Sequence, residues 1–179
     1  MRVVIDTNIL VQFMRDPDPV DLKDPENGDI VSRAAARASA LVDLIDQRNG
    51  LVVIPAPVLA EYLIGIKQDA YQKQLNLLNS FSCIEISPFD QISAIECALL
   101  VDESEHKALD PKATKAKLRV DRQILATAIS VGAEELWTHD IGLYKKAKAI
   151  GLVTKSLACI EPNPDQQDLA LSDTQDDQP

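Results

Sequence analysis

Arg2-Val3-Val4-Ile5-Asp6-Thr7-Asn8 is the stretch on which the reading of the fold turns. Its apolar residues run consecutively instead of alternating, which marks a strand covered on both faces. At Asp6-Thr7-Asn8 the pattern changes to residues that start helices, so the segment reads as a strand-to-helix corner carrying an acid at the strand's end.

Working outward, Leu51–Ile54 is a second apolar run, and Pro57 suits the first turn of a helix bearing Val58, Leu59, Tyr62 and Leu63. Phe81–Ile86 predicts a third strand, Glu135–Thr138 a fourth and Leu152–Ser156 a fifth. Helical spacing covers Ser32–Gln47, Asp69–Asn79, a segment capped by Asp90 and reaching about Asp102, Asp121–Val131 and Ile141–Ile150. Asn49-Gly50, Gly132 and Gly151 end three of these helices. Asp16–Asp29 reads as a surface loop, and Ser104–Leu118, where the periodicity fails, as a loop or flap. Strands separated by helices predict an α/β fold, a three-layer α/β/α arrangement around a central parallel sheet of about five strands.

A chain of 179 residues suits one ordinary domain, placed at 1–160, and an aromatic content of 4% against 46% hydrophobic points to an aliphatic core. From Glu161 onward six acids and no bases accompany Gln and Pro, so 161–179 is expected to be an acidic disordered tail. Setting those six aside takes the net charge from -10 to -4, which weakens the objection that so acidic a chain cannot approach nucleic acid. No run nears the ~20 apolar residues of a membrane span, and the short apolar N-terminal run meets Asp6 too soon for a signal peptide. Cys83, Cys97 and Cys159 are odd in number, widely spaced and apolar in setting, the pattern of reduced core residues in a cytoplasmic protein.

In an open parallel sheet, ligands bind beyond the carboxyl ends of the strands. Asp6 and Asp140 follow strands there, Asp121 opens the helix before the fourth strand, and Glu61 lies about one turn into the helix after the second. Singly, Asp6, Asp121 and Asp140 are explained as helix caps, and Glu61 as a solvated helix residue. Together they crowd negative charge at one edge, where a hard divalent cation would relieve it. Without Cys or His among them, they suit Mg²⁺ or Mn²⁺ better than zinc.

Four segments in order, Val3-Val4-Ile5-Asp6-Thr7-Asn8, Pro57-Val58-Leu59-Ala60-Glu61, Asp121-Arg122-Gln123-Ile124-Leu125-Ala126-Thr127-Ala128 and Leu136-Trp137-Thr138-His139-Asp140, carry a resemblance. Over about Arg2–Ser156 the chain resembles the PIN-domain nucleases, including the VapC-like toxins of bacterial toxin–antitoxin pairs. The resemblance implies a metal-dependent ribonuclease whose catalytic and metal-binding acids are Asp6, Glu61, Asp121 and Asp140. Thr7, Asn8 and Thr138 would be polar supports of those acids. It implies RNA as substrate, an antitoxin as partner and a homodimer as assembly.

The expected chemistry places one ion with Asp6, Asp121 and Asp140, and a second ion or bridging waters near Glu61, giving 5'-phosphate products. Lys107, Lys112, Lys115, Lys117, Arg119 and Arg122, six bases within sixteen residues, are either a solvated face or an RNA path, and Lys112 to Arg122 are the RNA-binding candidates. The alternatives are a PIN nuclease of RNA processing, a non-catalytic RNA- or protein-binding module on the same fold, and a phosphatase using Asp6 as nucleophile. His139 has no role legible in the sequence.

Overall fold

The computed structural model describes residues 1–14, 22–100 and 107–162. Five strands form one parallel sheet: β1 (Arg2–Ile5), β4 (Leu51–Pro55), β5 (Ile84–Ser87), β6 (Glu135–Trp137) and β7 (Val153–Lys155), in spatial order β5-β4-β1-β6-β7. β1 pairs with β4 through Val3 and Val52 and with β6 through Ile5 and Trp137. The helices are α1 (Thr7–Met14), α2 (Ala34–Gln47), α3 (Ala56–Ile64), α4 (Tyr71–Asn79), α5 (Gln91–Leu99), α6 (Lys115–Ser130) and α7 (Ile141–Ala149).

Neighbouring residues of a strand point to opposite faces, and Val3, Val4, Val52, Val53 and Ile54 are all fully buried. Both faces of the sheet are therefore covered. This is the expected three-layer α/β architecture with five parallel strands, and the consecutive apolar runs are its signature.

The sheet order also fixes where a site can form. From β1 the chain moves outward to β4 and β5, then returns to the other side of β1 with β6 and β7. The order thus reverses between β1 and β6, and a crevice opens at their carboxyl ends.

Several boundaries differ from the sequence reading. α6 begins at Lys115, with the Thr114 side chain accepting from the Lys117 amide at 3.2 Å, so Asp121 sits in its second turn instead of opening it. Lys115–Leu118 are thus helix, not loop, while 101–106 lie outside the described residues. The basic residues there hid the helix because only one face of it is buried. β5 starts at Ile84, since Phe81–Cys83 make the turn out of α4. A short 3-10 turn, Gln68–Ala70, precedes α4. Part of the 16–29 loop forms a small antiparallel hairpin with the residues after it, β2 (Leu22–Lys23) against β3 (Ile30–Val31), while 15–21 lie outside the described residues.

Cys83 is buried as expected, but Cys97 is half-buried and Cys159, on a terminal 3-10 turn, is exposed. The predicted tail falls almost wholly outside the described residues. No described helix is long and apolar enough to cross a membrane. Asn49, Gly132 and Gly151 adopt positive φ after α2, α6 and α7, as helix-ending residues do.

Candidate active site

Asp6 and Asp140 occupy the crevice because β1 and β6 end side by side, with the Asp6 amide donating to the Trp137 carbonyl at 3.0 Å. Asp6 is 5% exposed. Among the described residues its carboxylate receives only neutral donors: the Thr7 amide at 2.7 Å, the Asn8 side-chain amide at 3.1 Å and the Thr138 hydroxyl at 2.8 Å. Among the described residues it has no ion pair. Burial is the largest influence on it and, despite those three bonds, raises its pKa from 3.8 to about 6, with the Asp140 charge adding to the rise.

Glu61, exposed on α3, is joined to this group by the Thr7 hydroxyl, which donates to its Oε2 at 2.6 Å. Thr138 links the two strand-end acids, since its hydroxyl also accepts the Asp140 amide at 2.9 Å. Asp140 does cap α7, accepting from the Leu143 amide at 2.9 Å through Oδ1.

Asp121 lies on the buried stripe of α6 with Leu118, Leu125 and Ala128, so the helix carries its charge into the interior. There it meets Lys146 from α7, whose ammonium is fully buried and 2.6 Å from Asp121 Oδ2. Burial still holds the Asp121 pKa above its ordinary value against that ammonium. Lys117, one turn before Asp121, reaches Asp140 Oδ1 at 2.9 Å, Asp110 Oδ2 at 3.0 Å and Asp121 Oδ2 at 3.8 Å. Its burial lowers its pKa, but the hydrogen bonds to Asp140 and Asp110 more than reverse this, and the net shift is upward. Asp110 also lies 3.5 Å from the Lys146 ammonium. Desolvation raises the Asp110 pKa and the two lysines outweigh it, leaving the carboxyl below its usual range.

All four predicted acids therefore gather at one edge, in two electrostatic environments. Asp6 and Glu61 have no described cation beside them; Asp121 and Asp140 share lysines with Asp110. The three predicted supports, Thr7, Asn8 and Thr138, all bond these acids. Asp110 and Lys146 escaped the sequence reading: a buried lysine on a helix otherwise spaced as amphipathic was the one available signal for Lys146. Lys117, expected among surface bases, is turned into the acids instead. Lys112, Lys115 and Arg119 remain exposed, and Lys115, Leu118, Arg119 and Arg122 line a pocket of about 250 Å³ on the adjoining face of α6.

His139 has a structural role. Its Nδ1 lies 2.9 Å from the Lys23 carbonyl and its Nε2 accepts from the Leu157 amide at 3.1 Å. The ring is thus neutral, with the proton on Nδ1, and it ties the β2–β3 hairpin to the terminal turn. Desolvation keeps its pKa low, and both nitrogens are engaged away from the acids.

Oxygen-only carboxylates, one of them buried without a counter-charge, are the donor chemistry of a hard divalent cation. The residues fit such an ion in kind, although among the described residues no three His, Cys, Asp or Glu are already drawn around one point.

The corner at Asp6, the reversed strand order and the acids beyond β1 and β6 define a doubly wound α/β protein with an acidic crevice. The PIN domain profile matches residues 3–149, and the chain belongs to the PIN-domain family, the nuclease family its motifs resemble. Among solved structures, VapBC2 from Rickettsia felis bound to a promoter DNA fragment is 22% identical, with a TM-score of 0.56 over 87% of this chain and 98% of that one. DNA-bound VapBC from Salmonella typhimurium is 17% identical, with a TM-score of 0.51 over 88% and 98%. At such identity these likenesses establish the fold. No curated protein matches the sequence.

Proposed function

We propose that this chain is a divalent-cation-dependent endoribonuclease, with Mg²⁺ or Mn²⁺ as cofactor. The observation that carries the reading is Asp6: a buried carboxylate at the switch point of the sheet, aimed by three neutral donors and lacking a described cation. Family membership narrows the chemistry to nucleic-acid hydrolysis.

In this reading Asp6, Glu61, Asp121 and Asp140 are the acids that would hold the cation. Thr7, Asn8 and Thr138 fix the carboxylates in place. A bound divalent cation lowers the pKa of an attacking water and offsets charge on the phosphoryl oxygens. The chain needs no nucleophile of its own, and its remaining task is to bring the phosphodiester to the acids. Lys112, Lys115, Arg119 and Arg122 are the candidates for that task, because basic side chains attract the phosphate backbone that the acids alone would repel. Cleavage is expected to leave 5'-phosphate ends.

A toxin of a toxin–antitoxin pair is the biological role we favour, since the PIN fold here is that of the two VapBC structures. The exposed stripe Ile92, Ile95 and Leu99 along α5 supports a protein partner, an antitoxin or a second copy. Incubating defined single-stranded RNAs with Mg²⁺, Mn²⁺ or chelator tests the reading. Internal cleavage with either ion and none with chelator is expected; RNA left intact with both ions would overturn it.

A further inference from the structure

The β2–β3 hairpin contributes none of the predicted acids, yet it is fixed at the same edge of the sheet. The Lys23 carbonyl lies 2.9 Å from Nδ1 of His139, just after β6, and Asp24 Oδ1 accepts from the hydroxyl of Ser156, just after β7, at 2.9 Å. Its turn closes on itself, with the Gly28 amide donating to the Asp24 carbonyl at 2.9 Å. The hairpin is therefore a tethered wall at the carboxyl ends of β6 and β7.

Between that wall and α7 lies a cavity of about 530 Å³, a size usual for small-ligand sites. Pro25, Leu109 and Tyr144 give it an apolar lining, and Glu26, Lys145 and Lys148 carry its charges. Two of these residues are tied to the acid cluster: Leu109 precedes Asp110, and the Tyr144 amide donates to the Asp140 carbonyl at 2.8 Å. The cavity thus begins within a helical turn of Asp140. Lys148 is placed from two sides, its ammonium 4.8 Å from the centre of the Tyr144 ring and 2.9 Å from Glu26 Oε1. A cationic donor and an anionic acceptor stand side by side next to an apolar lining.

Flat apolar faces with a polar edge are the shape of a nucleobase, and unpaired RNA bases are read by packing on aromatic side chains and hydrogen bonding along that edge. Phosphate alone suits the cavity poorly, because Glu26 repels it. Guanine presents an acceptor, O6, beside two donor groups, N1–H and N2–H. A carboxylate can take both donors while an ammonium meets O6, and the other RNA bases lack that pair of adjacent donors. The Glu26–Lys148 ion pair is solvent-exposed, so parting it to admit such an edge costs little.

We propose that this cavity is a specificity subsite for the RNA substrate, taking an unpaired guanine that flanks the cut phosphate, with Glu26 and Lys148 reading its edge. The inference rests on the proposed function for RNA as the ligand, and it gives the hairpin a task. Lys145, exposed at the rim, meets an adjoining phosphate and reads no sequence.

Fluorescence anisotropy in chelator, with the full chain and labelled oligouridines carrying a single guanine, inosine or adenine, tests this apart from cleavage. Inosine keeps O6 and N1–H and lacks only the N2 amino group. The wild type is expected to bind the guanine RNA about tenfold more tightly than either of the others, and Glu26→Gln to reduce that preference to about twofold or less. Measuring both proteins on guanine and inosine isolates the contact between Glu26 and the amino group from any general effect of the substitution. Equal affinity of the wild type for the three RNAs, or a preference unchanged in Glu26→Gln, would overturn the inference while leaving Mn²⁺-dependent cleavage intact. A Glu26-dependent guanine preference in a protein that cuts no RNA with Mg²⁺ or Mn²⁺ would remove the proposed nuclease function and leave the subsite standing. Binding of none of the RNAs would overturn both.

Discussion

Thr138 donates its hydroxyl to Asp6 Oδ2 at 2.8 Å, across neighbouring strands and 132 residues of sequence. The same oxygen accepts the Asp140 amide, so one buried side chain sets the spacing of both strand-end acids. Valine has nearly the same shape and neither bond. Thr138→Val should therefore cost about 1–3 kcal/mol of stability, because it leaves the Asp140 amide unpaired. It should also weaken Mn²⁺ binding about 10- to 100-fold, with Thr138→Ser close to wild type. Chemical denaturation and Mn²⁺ titration of the two variants would show it, and equal behaviour of valine and serine would count against this role.

The raised pKa of Asp6 sets a pH dependence for the metal-free protein. Its folded value, about 6, lies above the ordinary 3.8, so the fold disfavours the ionised form. Stability attributable to Asp6 is thus lowest above pH 6 and recovers as the pH falls through 6 toward 4, by up to about 3 kcal/mol. His139, kept neutral by burial, acts in the opposite sense, so the comparison must be between wild type and Asp6→Asn. In chelator at pH 7, Asp6→Asn should be the more stable protein, and the difference should shrink by pH 4.5. A destabilised Asp6→Asn at pH 7 would contradict the uncompensated burial of this acid.

How much of this was legible beforehand depends on what local pattern can carry. Val3–Ile5 and Val52–Ile54 announced themselves as doubly covered strands, and Asp6 and Asp140, which follow the first and fourth strands, were placed by the rule that sites open beyond carboxyl ends. The start of α6 did not, because its first turn is polar on most sides and its apolar stripe begins only at Leu118. Asp110 and Lys146 were invisible for a different reason. Their partnership exists only in three dimensions, between residues 36 positions apart, and its clearest trace in sequence is Gly142, which reads as an unremarkable helix glycine until its distance from Asp110 is known. Glu61 reached the site by resemblance, and the Thr7 hydroxyl is the physical link that brings it there.

Gly142 gives a prediction of its own. Gly142→Ala would place a methyl group 2.1 Å from Asp110 Oδ2, so the carboxylate must leave both lysines. Although alanine ordinarily favours helix, here it should destabilise by about 1–3 kcal/mol. Thermal unfolding of Gly142→Ala in chelator checks this, and in an Asp110→Ala background the penalty should largely vanish. Persistence of the full penalty in the double variant would mean that the clash is not with Asp110.

Along α6, Lys115 and Arg119 are exposed while Lys117 is committed to the acids. Neutralising Lys115 and Arg119 together should weaken RNA binding and flatten the slope of log affinity against log salt by about 0.7 for each phosphate no longer neutralised. Fluorescence anisotropy with a labelled RNA over a salt series measures that slope. No change in it would take these bases out of the RNA path.

The central claim, that Asp6 is the acid on which cation-dependent RNA cleavage depends, is tested most directly by the cleavage rate of wild type and Asp6→Asn on one defined RNA at saturating Mn²⁺. A fall of about 100-fold or more is predicted, in a variant that folds normally. Cleavage by Asp6→Asn at the wild-type rate, abolished by chelator in both proteins, would contradict it.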